Sequence, residues 1–373
     1  MSKLEQLIAE FCPNGVEFAT LADIGDICMC KRIFKEETES VGDVPFYKIG
    51  TFGKEPNAFI SQKLFEEYKD KYSFPKVGDI LISAAGTIGR TVIYNGEPAY
   101  FQDSNIVWID NDESKLTNRF LYHFYSLQPW AISTGGTISR LYNDNIRKTI
   151  VPLPPLSVQC EIVKILDNFT ELTAELTAEL TARKKQYEFY RNELLTFGDD
   201  VPMVPLESVA KISNGKDHKG MGDGQYPCFG SGGIMRYVDS YIYDKTSVLI
   251  PRKGSIGNVF YIATPFWTVD TIFYTKIDEV KIIPKFFYYY LLTQHLEELN
   301  TAGGVPSLTK TVLDKVKIPL PNLKEQARIV AILDKFDTLT TDISNGLPAE
   351  IEARRKQYEY YRDNLLAFKE LEV

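Results

Sequence analysis

Glycine, hydroxyl and cation fall together twice in this chain, in Gly86-Thr87-Ile88-Gly89-Arg90 and in Arg252-Lys253-Gly254-Ser255-Ile256-Gly257-Asn258. Glycines let a backbone approach a ligand closely, N–H and hydroxyl groups bind phosphate oxygens, and Arg or Asn can read base edges in a major groove. Comparable loops in the first half hold Lys31, Arg32 and Lys35, then Gly135-Gly136-Thr137-Ile138-Ser139-Arg140 with Asn143. The second half has Lys216, His218 and Lys219, then Arg236, and Gly303-Gly304 with Ser307 and Lys310. One basic Gly-Ser turn is ordinarily a solvated hairpin. Recurrence at matched places in two halves favours a binding role.

No complete catalytic set accompanies them. His123 and His295 sit among Tyr and Phe in helix patterns, where packing explains a histidine better than catalysis does. "KGMGDGQ" (219–225) has the glycines of a phosphate loop without its strand–turn–helix frame. "LPPL" (153–156) lacks the Asn or Asp and the aromatic residue of the Asn/Asp-Pro-Pro-Tyr/Phe element of amino-methyltransferases. Asp270 with "EVK" (279–281) loosely suggests a metal-dependent nuclease, but its acids flank an expected turn instead of converging on one ion, and the first half offers Asp103 without a Glu-x-Lys.

The elements that must position the loops are duplicated. "VPLPPLSVQCEIVKILDNFTEL" (151–172) returns as "IPLPNLKEQARIVAILDKFDTL" (318–339), 167 positions on. "RKKQYEFYRNELLTF" (183–197) returns as "RRKQYEYYRDNLLAF" (354–368), but 171 positions on. The extra four residues fall within "ELTAELTAELTA" (171–182), a tetrad said three times. Strand patterns around residues 74–94 and 243–262 also match, as do helix patterns at 116–128 and 282–294.

Each helical segment opens with Pro-Leu-Pro. The first carries an apolar stripe from Ile162, Leu166 and Phe169 through Leu172, Leu176 and Leu180 to Tyr187, Tyr190 and Leu194. The second carries Ile329, Leu333, Phe336, Leu339 and Ile343, meets "SNGLP" (344–348), where a kink or short break is expected, and resumes at Ile351, Tyr358, Tyr361 and Leu365. One stripe per helix fits an antiparallel two-helix seam. The fold class expected is α+β: two mixed α/β domains joined by two long antiparallel, coiled-coil-like segments. The boundaries are 1–150, 151–200, 201–318 and 319–373.

At 373 residues, 44% hydrophobic and 25% charged, the chain has length for two cores. The net charge of −8 argues against a general nucleic-acid coat but permits local basic loops. Five cysteines (Cys12, Cys28, Cys30, Cys160, Cys228) form no disulfide or metal spacing, which with an acid-containing N-terminus and no long apolar run suggests a cytoplasmic protein without a membrane partner.

The Pro-Leu-Pro-x-x-x-x-Gln-x-x-Ile-Val-x-x-Leu-Asp segments, the Arg-Arg/Lys-Lys-Gln-Tyr-Glu helices and the Gly-Ser/Thr-Ile-Gly loops resemble the specificity subunit of type I restriction-modification enzymes, essentially end to end. The resemblance implies a non-catalytic subunit with two target-recognition domains, each reading half of a split double-stranded DNA site. DNA contacts are then expected at Lys31, Arg32, Thr87, Arg90, Arg140 and Asn143 in the first, and at Lys216, Lys219, Arg236, Arg252, Lys253, Ser255 and Lys310 in the second. It further implies that the helices dock two methylation subunits, which hold S-adenosylmethionine, and that restriction subunits join the larger assembly. This chain itself would bind no cofactor. Lys184, Lys185, Tyr187, Arg354, Arg355 and Tyr358 have the composition of such a docking surface. The tetrad repeat becomes a ruler: one turn, about 6 Å, is a little under two base-pair steps. A DNA-modifying enzyme acting alone, or a stand-alone DNA-binding regulator, are the alternatives.

Overall fold

The computed structural model describes residues 2–131, 140–299, 307–342 and 345–371. In chain order the first half contains α1 (Lys3–Phe11), β1 (Glu17–Thr20), β2 (Gly25–Cys28), β3 (Val44–Tyr47), β4 (Phe59–Ile60), α2 (Gln62–Lys71), β5 (Ile80–Ser83), β6 (Thr91–Ile93), β7 (Tyr100–Phe101), β8 (Ile106–Asn111), α3 (Asn118–Tyr125), α4 (Asn143–Arg147) and β9 (Ile150–Leu153). The long helix α5 (Leu156–Leu194) comes next. The second half contains β10 (Met203–Pro205), β11 (Ala210–Asn214), β12 (Asp223–Gly230), β13 (Gly233–Val238), β14 (Ser247–Pro251), β15 (Phe260–Ile262), β16 (Trp267–Thr268), β17 (Ile272–Ile277), α6 (Pro284–Leu291), α7 (Lys310–Leu313), β18 (Lys317–Pro319), α8 (Leu323–Thr341) and α9 (Leu347–Leu365).

The duplication is carried into the topology. The four-stranded sheet runs β2-β8-β5-β6 in one half and β11-β17-β14-β15 in the other. A three-stranded sheet, β4-β3-β7 or β13-β12-β16, includes one parallel pair in each case. A small ladder, β1-β9 or β10-β18, closes each domain on the Pro-Leu-Pro entry to its helical segment. All four residues of β5 are buried because both faces of its sheet are covered. Alternation along the strand sends Ile80 and Ile82 to a core shared with α3 and the start of α5, and Leu81 to a second core with Phe46, Ile60 and Tyr100. In the second half Val248 and Ile250 pack with α6 and α8, and Leu249 with Cys228, Phe229 and Phe266. The halves differ between β2 and β5: α2 follows β4 and puts Phe65 into the second core, whereas among the described residues no helix stands between β13 and β14.

The chain divides into two compact units, Met1–Glu175 with Glu352–Val373, and Leu176–Ile351. One cut falls inside the tetrad repeat, so each unit takes one mixed α/β domain, the beginning of one helical segment and the end of the other. The repeated glutamine explains why each beginning is fixed to its own domain. Gln159 donates to the carbonyls of Pro154 (2.7 Å) and Lys115 (2.8 Å) and accepts from Thr117 N (2.8 Å). Gln326 repeats the arrangement with Pro321, Lys281 and Ile283 N. Both are fully buried and satisfied, which turns a polar side chain into a specific clamp.

The apolar stripe is therefore not one continuous helix–helix seam. Ile162 and Leu166 pack into the core of the first mixed domain, and Ile329 and Leu333 into that of the second. Helix–helix aromatic contact begins a turn later, with Phe169 stacked on Tyr361 at 5.1 Å and Phe336 stacked on Tyr190 at 5.7 Å. The expected interruption is a break: α8 ends at Thr341 and α9 starts at Leu347. Gly346 lies so close to the carbonyl oxygens of Thr338 and Asp342 that a Cβ would collide with them, and its N–H caps Asp342 O at 3.0 Å. Ile343, placed in the stripe by its spacing, lies outside the described residues.

Candidate nucleic-acid interface

The Gly-Thr/Ser-Ile-Gly loops anchor one residue and present the next. Ile88 packs against the first core and Ile256 is buried in that of the second unit, leaving Thr87 and Ser255 exposed. Gly89 needs its glycine: its φ is +74° and Gln128 lies against the space a Cβ would take. The cations in these loops have unequal freedom. Arg90 Nη1 donates to Phe52 O (2.8 Å), so part of its fork braces a neighbouring loop. The Arg252 guanidinium lies over the Phe273 ring at 5.0 Å, whereas Lys253 is exposed.

A concavity of about 340 Å³ lies in the first unit between the loop after β2 and the loop before β8. Arg32, Lys35, Lys48 and Arg140 line it together with Gln102, Asp103, Ser104 and Asn105. Arg32 Nε donates to Asp103 Oδ2 at 2.9 Å, and Arg140 Nη2 donates to Ser104 O at 2.8 Å. Lys31 Nζ lies over the Tyr72 ring at 5.2 Å, outside this lining, and Asn143 is exposed at the start of α4.

The second unit is hollowed between its corresponding loops, after β11 and before β17. Its cavity, about 750 Å³, is lined by His218 and Lys219 with Asp217, Ser231, Met235 and Asp270. Asp270 stands 167 positions after Asp103. Lys216 is exposed on the rim-forming loop, its N–H bonded to Thr268 O. Arg236 is paired with Asp223 and also reaches Met221 O. Lys310 is exposed at the first position of α7. Thus Arg32 and Arg140 meet in one cavity and Lys219 lines the other. Thr87, Arg90, Arg252, Lys253 and Ser255 belong to the Gly-Ile-Gly loops, and the second of these loops meets the cavity lining through Asn258, which donates to Ser231 O. The glycines at 135–136 and 303–304 lie outside the described residues.

Sequence reasoning missed Lys48, Gln102, Ser104 and Asn105, and it met Asp103 only as the counterpart of Asp270, not as a partner of Arg32. A signal for residues 102–105 did exist, the "QDSN" run before an apolar strand, but a polar run there reads first as an ordinary turn. Ser104 marks its distinctness by a left-handed φ of +60°.

On the helices, Lys184, Lys185 and Arg355 are exposed, and Arg355 pairs with Glu359 at 3.2 Å. Arg354 is half-buried and donates to Gln357 (3.1 Å). Tyr187 packs against Phe336, and burial pushes its hydroxyl up to about 12. Tyr358 has its hydroxyl 3.1 Å from His123 Nδ1 and 3.2 Å from Ser126 Oγ. Both tyrosines thus tie helices within their own units. Among the described residues of these helices, the most exposed aromatics are instead Phe189 and Tyr360, 64% and 65% accessible at equivalent places in the repeat.

Two recognition folds of one topology, each clamped by a glutamine to a helical segment, define a duplicated specificity scaffold. Residues 13–183 and 198–353 each match the family of the type I restriction modification DNA specificity domain. The chain belongs to this family, the non-catalytic specificity subunits that recognise DNA sequence in type I systems.

It is 35% identical over 293 residues to the Escherichia coli type I restriction enzyme EcoR124I/EcoR124II specificity subunit, covering 69% of this chain and 72% of that one. A stretch of 181 residues is 60% identical to a putative type I restriction enzyme specificity subunit of Haemophilus influenzae, and it spans about half of each chain (48% and 47%). The fold resembles the crystal structure of the type I restriction-modification S subunit from M. genitalium, with TM-score 0.61, 18% identity and coverage of 94% and 96%. Among the described residues no helix is long and apolar enough to cross a membrane.

Proposed function

We propose that each unit reads one half of a split double-stranded DNA site for a type I restriction-modification assembly. The carrying observation is the pair of cavities: corresponding loops are hollowed in both units but lined by different side chains. Shared strands with divergent loops are what two unrelated half-sites require. The exposed cations Lys253 and Lys216 suit phosphate contacts beside the second cavity, and α5 with α8 and α9 sets the number of unread base pairs between half-sites.

Methyl transfer and strand cleavage fall to partners. Two methylation subunits holding S-adenosylmethionine dock, one at each copy of the helical repeat, and restriction subunits join the cytoplasmic assembly. The repeat supports two copies because exposed basic and aromatic residues recur at equivalent positions, Lys184 and Phe189 against Arg355 and Tyr360. The test is selection from randomised duplexes by the purified assembly, with its mass measured in parallel. Two short fixed sequences around a constant unread spacer, and two methylation subunits per chain, are expected. A single uninterrupted motif, or one methylation subunit at saturation, contradicts the reading.

A further inference from the structure

We infer that Arg32 is the guanine-reading side chain of the first unit and that Asp103 holds it for that task. The inference rests on the DNA-reading role proposed above and assigns a chemistry to one residue within it. Arg32 Nε is bound to Asp103 Oδ2 at 2.9 Å. Its Nη1 and Nη2 make no hydrogen bond among the described residues, and the side chain is 62% exposed against 16% for Asp103. The carboxylate therefore grips the inner nitrogen of a planar fork and leaves the outer two donors facing solvent at a cavity edge.

Two parallel donors match one base edge in the major groove. Guanine presents two acceptors, O6 and N7, whereas adenine and cytosine each present an amino donor and thymine pairs its single acceptor with a methyl group. A phosphate would also accept the fork, but Asp103 speaks against it. A carboxylate 2.9 Å from the guanidinium repels a phosphate anion and leaves an uncharged guanine edge almost unaffected. The surroundings of the pair are built for rigidity. Asp103 leads into Ser104, whose left-handed backbone is held by Arg140 through the Ser104 carbonyl (2.8 Å), and Asn105 N closes on Asp103 O at 2.7 Å. Arg140 is on this view a positioning residue. In the second unit Asp270 keeps the carboxylate, but the opposing loop supplies His218 and Lys219 in place of an arginine, so its half-site is read by other means.

Arg32→Lys separates the two roles of the cation, because it keeps the charge and loses the fork. The wild-type assembly and assemblies carrying R32K, R32A or D103N are put through selection from randomised duplexes, with thermal unfolding monitored to confirm folding. Wild type should select a G·C pair in the half-site set by the first unit. R32K should lose preference at that one position by about ten- to a hundredfold while the other half-site and the salt dependence stay unchanged. D103N should weaken the same position without removing it. A first half-site lacking G·C, or an R32K assembly with an unaltered motif, overturns the inference. So does an R32A assembly that binds more weakly with a shallower salt slope and an unaltered motif, the signature of a phosphate contact. Failure of the wild-type assembly to select any split motif would instead overturn the underlying reading, together with this one.

Discussion

Buried polar side chains and loop cations contribute in different ways here. The Gln159 amide satisfies one N–H and two carbonyls that join the first recognition domain to its helix. Gln159→Ala leaves those groups buried without partners, at about 1–3 kcal/mol each where water cannot reach them. Urea unfolding should show a loss of about 3 kcal/mol; a change under about 1 kcal/mol would mean the clamp is dispensable. His123 is fully buried, its Nε2 2.8 Å from Asp167, and burial lowers its proton affinity below the ordinary 6.5 despite that carboxylate. Above that pH the ring is neutral in folded and unfolded chains alike and adds no pH dependence. Below it the unfolded chain takes up a proton that the folded unit takes up only at lower pH, so stability falls with falling pH. Tyr289 fills the equivalent place in the other unit, donating to Asp334 at 2.6 Å, so the effect belongs to the first unit alone. His123→Gln should flatten the decline as pH falls below about 6.5, read as the difference in unfolding midpoints between the two proteins. Among the loop cations, Lys253→Ala should reduce the salt slope of DNA binding by about one, as one lost phosphate contact requires. Arg90→Ala should weaken folding more than the salt slope, because its fork holds Phe52 O. Equal effects on the slope would show that both cations meet phosphate.

At the scale of elements, α5 is one continuous helix of 39 residues whereas its counterpart is two helices of 19. The tetrad repeat in α5 supplies Leu172, Leu176 and Leu180 as interchangeable half-buried residues. Removing one tetrad keeps a leucine at each remaining step and rotates the downstream helix by only about 40°, which a paired helix absorbs by local supercoil change. The variant should methylate both original half-sites with an unread spacer shorter by about one to two base pairs, from the ratio of one turn to the base-pair rise. Methylated-base sequencing checks this; an unchanged spacer at full activity would make the repeat a passive helix. Removing three residues should be far more damaging, since it turns the helix about 60° the other way and breaks the leucine order.

Much of this element order was legible because period and punctuation survive duplication. Pro-Leu-Pro, the helical apolar spacing and Asn345-Gly346 each mark a local event. The destination of Ile162 and Leu166 was not legible, because a helix stripe records that a face is buried and not against what. The parallel pairing of β3 with β7 is equally silent, since the two strands are far apart in sequence and only two residue pairs join them. At the site, the cationic loops stood out by composition. The pairing of Asp103 with Arg32 did not, because the two are 71 residues apart and only the fold brings them to 2.9 Å.

For the whole molecule, duplication gives two reading heads on a common frame. One set of strand orders serves both units, and α2 is the helix of the first unit that has no counterpart between β13 and β14 of the second. The chain's net charge of −8 is then compatible with DNA binding, because cations are needed only where loops meet the duplex. The central claim is that each unit specifies its own half of the site. The most direct measurement exchanges residues 17–150 for the corresponding domain of another such subunit and maps methylated bases across a genome. The account predicts that one half of the motif is replaced while the other half stays as it was. Replacement of both halves, or of neither with activity retained, would contradict it.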